Sequence, residues 1–352
     1  MKLRQSIRFS TSSDGTRIAV ASCGEGPVIL RAAHWLSHVN YDLESPVYRP
    51  WLAALSAQNC FVRYDPRGCG LSDRHVEDLS VAAWHDDIDA VAASIEEPRF
   101  VLLGLSQGGA LAISYVLRHP ERVSHLVLVN AYGQGGFARA RTDAERLEAE
   151  TLVNFIRIGW GRDNPAFCQF FTNLFIPDGT PEQHRWWGDL ERETASADVA
   201  AQLLWQMQRI DVLDEAAKLN VPTLIAHSRG DMRVPFNEGC KLAAAIPGAR
   251  FVPLESKNHV LLQDEPAWAV FHAELASFLG QERDAPMRTI RDAGLTASEA
   301  AILSLVVEGL DNPSIAQRLG KSVKTVRNQL SVIFSKLGVH NRSQAIIKSL
   351  SH

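Results

Sequence analysis

Ser106 sits in "GLSQGG", a G-x-S-x-G spanning Gly104 to Gly109. A serine hydroxyl is a weak nucleophile until a base takes its proton, and that base must itself be oriented by an acid. Two downstream stretches offer such a pair. "RGDMRVP" puts Asp231 just past the strand-like run "PTLIAHS", and "KNHVLL" puts His259 just past "RFVPLES". The order Ser…Asp…His, with each residue after a strand, is the order a strand–turn–helix nucleophile uses. Asp211, Asp264 and His227 are weaker candidates for the same roles by position. The chemistry expected of Ser106, Asp231 and His259 is attack on an acyl carbon: cleavage of an ester, a lactone or an amide. It needs no cofactor. No metal is expected either, because the five cysteines (23, 60, 69, 168 and 240) share no metal-ligand spacing and read as thiols in a reducing compartment.

The elements that must hold these residues follow from the pattern around them. Ser106 falls between the β-rich run "FVLLGL" (100–105) and the helical "QGGALAISYVLRHP". Side chains at 104 and 108 would clash in so tight a turn. Further short apolar runs, "VILRA" (28–32), "CFVRYD" (60–65) and "HLVLVN" (125–130), alternate with helical stretches such as "LSVAAWHDDIDAVAASI". Continuous apolar strands of this kind suit a parallel sheet covered on both faces, and the β-α-β rhythm predicts an open α/β fold. From about 132 to 214 the rhythm gives way to helical patterns holding ten of the chain's 22 Phe and Trp residues. A cap is expected there, roofing a largely apolar pocket for a small molecule, although helix-to-helix packing accounts for most of those rings. The strands then resume, and "PAWAVFHAELASFLG" closes a first domain at about 280.

The 352 residues suit one domain of that size plus a small one, joined by a polar linker at 281–294. The opening "MKLRQSIRFSTSSDGT" lacks an apolar leader core, and no apolar run is long enough to span a bilayer. A cytoplasmic protein with no membrane partner is therefore expected. Its net charge of −4 is unevenly divided. Residues 285 to 352 carry nine Lys/Arg against four Asp/Glu, which is +5 and leaves −9 for the remainder. No acid follows Asp311, whereas seven basic residues do. Such asymmetry points to an anionic partner for the basic part.

That basic part divides into short helices. Thr296 and Glu299 form a capping-box pattern, and Ile302, Leu303, Val306 and Val307 give the helix its apolar face before Gly309. Asn312 and Pro313 open a second helix, and Ser322 caps a third. On the third, Val326, Leu330, Ile333 and Leu337 share one face, while Lys324, Arg327, Asn328 and Ser331 share the other. These are the parts of a helix-turn-helix for double-stranded DNA.

With those residues in view, two resemblances are plain. Residues 15 to about 280 resemble an α/β-hydrolase domain, and "RYDPRGCGLSD" (63–73) is similar to that family's glycine-rich loop, structural there. The resemblance implies an oxyanion hole made by the backbone N–H groups of Gln107 and His34. Here Arg31-Ala32-Ala33 replaces the family's usual His-Gly pattern. The block "AAHWLSHVNYDLESPVYRPW" resembles hydrolase-like domains fused to regulatory modules. Residues 295 to 350 resemble LuxR-type DNA-binding domains, on "LTASE", "EGLDNPSIAQRLG", "SVKTV" and "KLGVHNR". That likeness implies that Arg327, Asn328 and Ser331 face base edges. It also implies that Lys321, Lys324, Thr325 and Lys336 hold phosphates, and that the final helix, 342–350, pairs two copies into a homodimer. Gln329 departs from the family, which commonly has His. The architecture expected is an α/β-hydrolase fold with a helical cap followed by a small all-α LuxR-type helix-turn-helix domain. The expected function is a transcriptional regulator under small-molecule control. The alternative is a serine hydrolase whose turnover is coupled to transcription.

Overall fold

In the computed structural model, which describes residues 3–162, 165–283, 295–307, 309–339 and 341–350, the chain divides into two units, Met1–Ala273 and Glu274–His352. Most of the expected linker, 284–294, lies outside the described residues.

The first unit is built on a single eight-stranded sheet in the order β1-β2-β4-β3-β5-β6-β7-β8. Its strands are β1 Gln5–Thr11, β2 Arg17–Cys23, β3 Val28–Arg31, β4 Cys60–Tyr64, β5 Phe100–Leu105, β6 Val123–Val129, β7 Thr223–Ser228 and β8 Arg250–Leu254. From β4 through β8 every pairing is parallel. Both β5 and β7 are buried at every position, which is why they read as unbroken apolar runs. Helices α1 Tyr48–Ser56, α2 Val81–Ala93, α3 Gln107–Arg118, α10 Phe236–Ala245 and α11 Pro266–Arg283 supply the connections and the closing segment. The antiparallel hairpin β1–β2 is absent from the sequence-based expectation. Strand β1 is largely exposed at the sheet edge and carries few apolar side chains, so it leaves a weak hydrophobic signature. The clue was the turn "SSDGT", where Asp14 accepts from the Thr16 amide at 2.9 Å and Gly15 takes a φ of +91°.

Between β6 and β7 the chain inserts the cap: α4 Gly136–Arg139, α5 Asp143–Gly159, α6 Pro165–Phe175, α7 Pro181–Thr194, α8 Ala197–Arg209 and α9 Leu213–Ala216. Capping boxes at Thr142/Glu145 and Thr180/Gln183 start α5 and α7. The cap's aromatic rings mostly pack on one another. Phe155 lies 4.7 Å from Phe167, and Phe167 lies 5.1 Å from Phe171, centroid to centroid.

The second unit contains α12 Ala297–Val307, α13 Asn312–Arg318, α14 Val323–Leu337 and α15 Arg342–Leu350. Ile302, Leu303, Val306, Ile315, Val326, Leu330, Ile333 and Leu337 form its core. Asp311 caps α13 by accepting from the Ser314 amide, and Ser322 caps α14 by accepting from Thr325. Gly338, at φ +63°, ends α14 in the left-handed conformation.

Two local features set up the functional part of the first unit. At the end of β5 the backbone turns through Ser106, with φ 55° and ψ −128°, directly into α3. The glycines around it are steric necessities. A Cβ at Gly104 would come within 2.5 Å of the Gly109 Cα, and one at Gly109 within 2.4 Å of the Ala131 Cβ. At Gly108 the nearest atom is the Ala33 carbonyl oxygen at 3.0 Å, so Gly109 rather than Gly108 carries the second strict requirement. The other feature is the fully buried Arg67 guanidinium. It forks onto Asp87 of α2 at 2.7 and 2.9 Å and reaches Asp14 of the β1–β2 turn at 2.7 Å.

Breaking a buried, hydrogen-bonded pair leaves a charge without compensation and costs about 3–5 kcal/mol. Arg67→Met is expected to lower the urea midpoint of the first unit accordingly; an unchanged midpoint would show that the loop does not depend on the pair. Ser106 stores strain of about 1–3 kcal/mol that glycine relieves and alanine does not. Ser106→Gly is therefore expected to unfold at a higher temperature than Ser106→Ala, and equal midpoints would argue against strain at the turn.

Candidate functional site

The loop after β7 presents Asp231, whose carboxylate is fully satisfied. Oδ1 accepts the backbone amides of Arg233 and Val234 at 2.8 and 2.9 Å, and Oδ2 accepts from His259 Nδ1 at 2.8 Å. His259 follows β8 and is 1% exposed; its Nε2 has no protein partner. Ser106, His259 and Gln107 line one pocket, together with His34, Trp35, Tyr132, Phe175, Trp187, Met207 and Arg233. Ser106, Asp231 and His259 are thus brought together around it. The weaker candidates are not. Asp211 accepts from Gln134 Nε2 at 2.9 Å at the surface, and Asp264 is exposed. His227 is buried behind Asp231, 3.7 Å from Oδ2, with its ring nitrogen against the Val234 carbonyl. Burial holds its pKa below the usual histidine value.

Sequence reasoning missed the residue that joins these loops. Asn130, at the end of β6, is fully buried with a φ of 47°. Its Oδ1 accepts the Ser228 amide at 2.7 Å, and its Nδ2 donates to the His259 carbonyl at 2.7 Å and to Ser228 Oγ at 3.2 Å. The signal was an Asn directly after an apolar strand run, since Asn tolerates the left-handed region better than most residues. The cap joins the same loop. The carbonyl of Phe175, the last residue of α6, accepts the amides of His259 at 2.8 Å and Val260 at 3.1 Å. Of the ten cap Phe and Trp rings, Phe175 and Trp187 reach this pocket. A neighbouring hollow shares Gln107 and Met207 with it and is walled by Tyr64, Trp84, Leu111 and Leu203.

Opposite the histidine loop, the stretch after β3 carries His34, stacked on Tyr48 at 5.4 Å. Burial, with Arg31 and His259 adding to it, depresses the His34 pKa far below the ordinary value, so its ring is neutral at pH 7. The unusual Arg31 is buried and is not a surface charge. Its guanidinium donates to Ser37 Oγ at 3.3 Å and lies 3.9 Å from Asp42. Asp65 accepts from the same hydroxyl and from the Val39 amide, and Arg63 donates to the Val39 carbonyl at 2.6 Å. Burial pushes the Asp42 carboxyl up to about 6 and that of Asp65 up to about 7. A buried polar network therefore fixes the segment from Arg31 to Val39 where the related enzymes' His-Gly would stand. Among the described residues, no group of three or more His, Cys, Asp or Glu side chains is placed to hold a metal ion.

In the second unit, α14 buries Val326, Leu330, Ile333 and Leu337 and exposes Lys324, Thr325, Arg327, Asn328 and Ser331. Lys321 and Lys336, expected to hold phosphates, are engaged inside the domain. Lys321 Nζ donates to Gln329 Oε1 at 2.9 Å and to Ser298 Oγ. Lys336 Nζ pairs with Glu299 at 2.7 Å. That contact and the Thr296 cap hold the Glu299 carboxyl down at about 2. Gln329 donates to Ser298 at 3.1 Å, so it turns toward α12 rather than outward.

Residues 42–266 match the α/β-hydrolase fold family, and residues 293–349 match the luxR family of bacterial regulatory proteins. The chain is 28% identical over 207 residues to the AB hydrolase superfamily protein YisY of Bacillus subtilis, covering 58% of this chain and 76% of that protein. It is 25% identical over 226 residues to a putative carbamate hydrolase, RutD, of Rhizobium rhizogenes, covering 62% and 82%. Among solved structures it is similar to an esterase from Exiguobacterium antarcticum, with a TM-score of 0.65, 25% identity, and coverage of 77% of this chain and 98% of the esterase. With the sheet, the cap and the C-terminal helices as described, the chain belongs to the α/β-hydrolase fold family and carries, fused behind that domain, a LuxR-family DNA-binding domain.

Proposed function

We propose that this protein is a DNA-binding transcriptional regulator whose output is set by a small molecule held in the Ser106 pocket. The observation that carries the DNA-binding reading is the exposed face of α14: Lys324, Arg327 and Asn328 with no acid among them. Set into a major groove, Arg327 suits the bidentate acceptor pair of guanine, Asn328 suits adenine, and Ser331 suits either donor or acceptor edges. Lys324 and Thr325 at the helix start serve the phosphate backbone. Lys321 and Lys336 first hold the domain together, and they reach phosphate only by sharing or leaving their contacts with Gln329 and Glu299. Helix α15 supplies the pairing surface, since half-sites related by a two-fold axis call for two copies. The pocket contributes a switch only if its occupant binds the two states of the regulator unequally.

A second reading, favoured by the Asp231–His259 hydrogen bond beside a strained Ser106, is that the pocket also hydrolyses its ligand. Ser106 Oγ attacks the acyl carbon while His259 Nε2 takes the proton. Asp231 Oδ2 keeps the Nδ1–H in place and stabilises the imidazolium. The oxyanion faces the backbone N–H groups of Gln107, at the start of α3, and of His34. Collapse of the tetrahedral intermediate expels the alcohol or amine with the proton returned by His259, and water repeats the sequence on the acyl-enzyme. Esters, lactones and amides fit this scheme. A relative's name, putative carbamate hydrolase, adds carbamates to the acyl classes worth assaying.

Arg327→Ala is expected to weaken binding to a specific operator by about 1–3 kcal/mol and to relax the preference at one base position. Electrophoretic shifts against a set of single-base operator variants measure both, and unchanged affinity and selectivity would overturn the assignment. Ser106→Ala is expected to cut turnover of a 4-nitrophenyl ester about 10⁴-fold or more; equal rates for the two proteins would rule out Ser106 as nucleophile.

A further inference from the structure

Arg233 stands two residues after Asp231, with its backbone amide pinned to the Asp231 carboxylate at 2.8 Å. Its side chain lines the Ser106 pocket alongside Tyr132. The fully buried arginines of this unit all have partners: Arg31 with Ser37 and Asp42, Arg63 with Val39 and Gln5, Arg67 with Asp87 and Asp14. Among the described residues, the Arg233 guanidinium has neither a hydrogen bond nor an ion pair. Asp231 does not serve, because both its oxygens are already committed to amides and to His259. Arg139, on α4, donates to the Gln134 carbonyl, has no ion pair among the described residues, and lies close enough to add its positive charge to that of Arg233. Burial disfavours the charged form of Arg233, Arg139 adds to that, and Tyr132 and Asp231 oppose it. The guanidinium is half-buried, and its donors are left open to a partner that enters the pocket.

We infer that Arg233, with Tyr132 beside it, is the anchor for a carboxylate carried by the compound that occupies the Ser106 pocket. This inference rests on the small-molecule reading above and narrows it. The expected ligand is not merely apolar: it is an acyl compound with a carboxylate at a distance from the acyl carbon. The planar fork of the guanidinium matches the two oxygens of a carboxylate. Trp35, Leu36, Phe175, Trp187 and Met207 give the pocket an apolar side that suits the chain between.

Two ester pairs test this: mono-4-nitrophenyl adipate against 4-nitrophenyl hexanoate, and mono-4-nitrophenyl pimelate against 4-nitrophenyl heptanoate. Each pair matches an anionic ester with a neutral one of similar length. The protein is expected to favour the anionic member in kcat/KM by at least about tenfold, the size of one charge-assisted hydrogen-bond pair. Arg233→Met is expected to bring the ratio close to one, and Arg233→Lys to keep part of it, which a merely structural role for Arg233 would not produce. A ratio that Arg233→Met leaves unchanged, or a preference for the neutral ester, overturns the inference. If the protein cleaves no ester, the hydrolytic reading fails and binding decides alone. Calorimetry then compares monomethyl adipate with methyl hexanoate: tighter binding of the former, lost in Arg233→Met, supports the anchor, and charge-blind binding overturns it. Circular dichroism of each variant checks that it is folded, and if Arg233→Met is not, Arg233→Gln takes its place.

Discussion

One side-chain amide holds the far wall of the Ser106 pocket together. Asn130 leaves β6 with a left-handed backbone and uses both ends of its side chain, taking the Ser228 amide and giving to the His259 carbonyl. Three loops, after β6, β7 and β8, thereby share one buried hydrogen-bonded node. The loops that bring Asp231 and His259 to the pocket start at two of those strand ends. Buried amides satisfied in this way specify geometry more than they add net stability, because each partner left unpaired would cost its full desolvation. No other residue type supplies a donor, an acceptor and tolerance of positive φ in so short a side chain.

The near wall is held by charge instead. Where the related enzymes place His-Gly, this chain places Arg31-Ala32-Ala33, and the arginine is drawn inward to Ser37 and Asp42, while Asp65 and Arg63 hold Ser37 and Val39. The segment that presents the His34 amide is therefore braced from beneath by side chains. The network is not closed: the two Asp42 oxygens lack hydrogen-bond partners, and Asp42 Oδ2 faces the Arg31 guanidinium at 3.9 Å. Its raised carboxyl pKa is the electrostatic mark of that position.

Much of this was legible in the residues, for identifiable reasons. The strands from β3 to β7 announce themselves because burial on both faces favours apolar runs, and the turn at Ser106 because only glycines fit around it. The α14 face was readable because helical spacing separates Val326, Leu330, Ile333 and Leu337 from Lys324, Arg327 and Asn328. What stayed hidden depends on distant partners. Asn130 looks like any polar residue closing a strand until β7 and the His259 loop arrive. Lys321 and Lys336 look like free cations because their partners are distant in the chain: Gln329 two turns into α14 for Lys321, and Ser298 and Glu299 on α12. Arg233 hides in a loop, since nothing local states that its head meets no acid. Strand β1 was lost for a simpler reason: an exposed edge strand has no buried face to betray it.

The carbonyl that ends α6 has a lasting influence on how the pocket can open. Phe175 accepts two consecutive amides, those of His259 and Val260, at a single oxygen, and its ring lies 5.5 Å from the imidazole. Hinging that end of the lid outward strips both amides of their acceptor and takes away the ring that shields the base. On the hydrolytic reading proposed above, admission of a bulky guest and readiness for proton transfer compete for one atom: a molecule that wedges the lid ajar is one that the imidazole is poorly placed to destroy, whereas one small enough to let the lid settle meets the base in register.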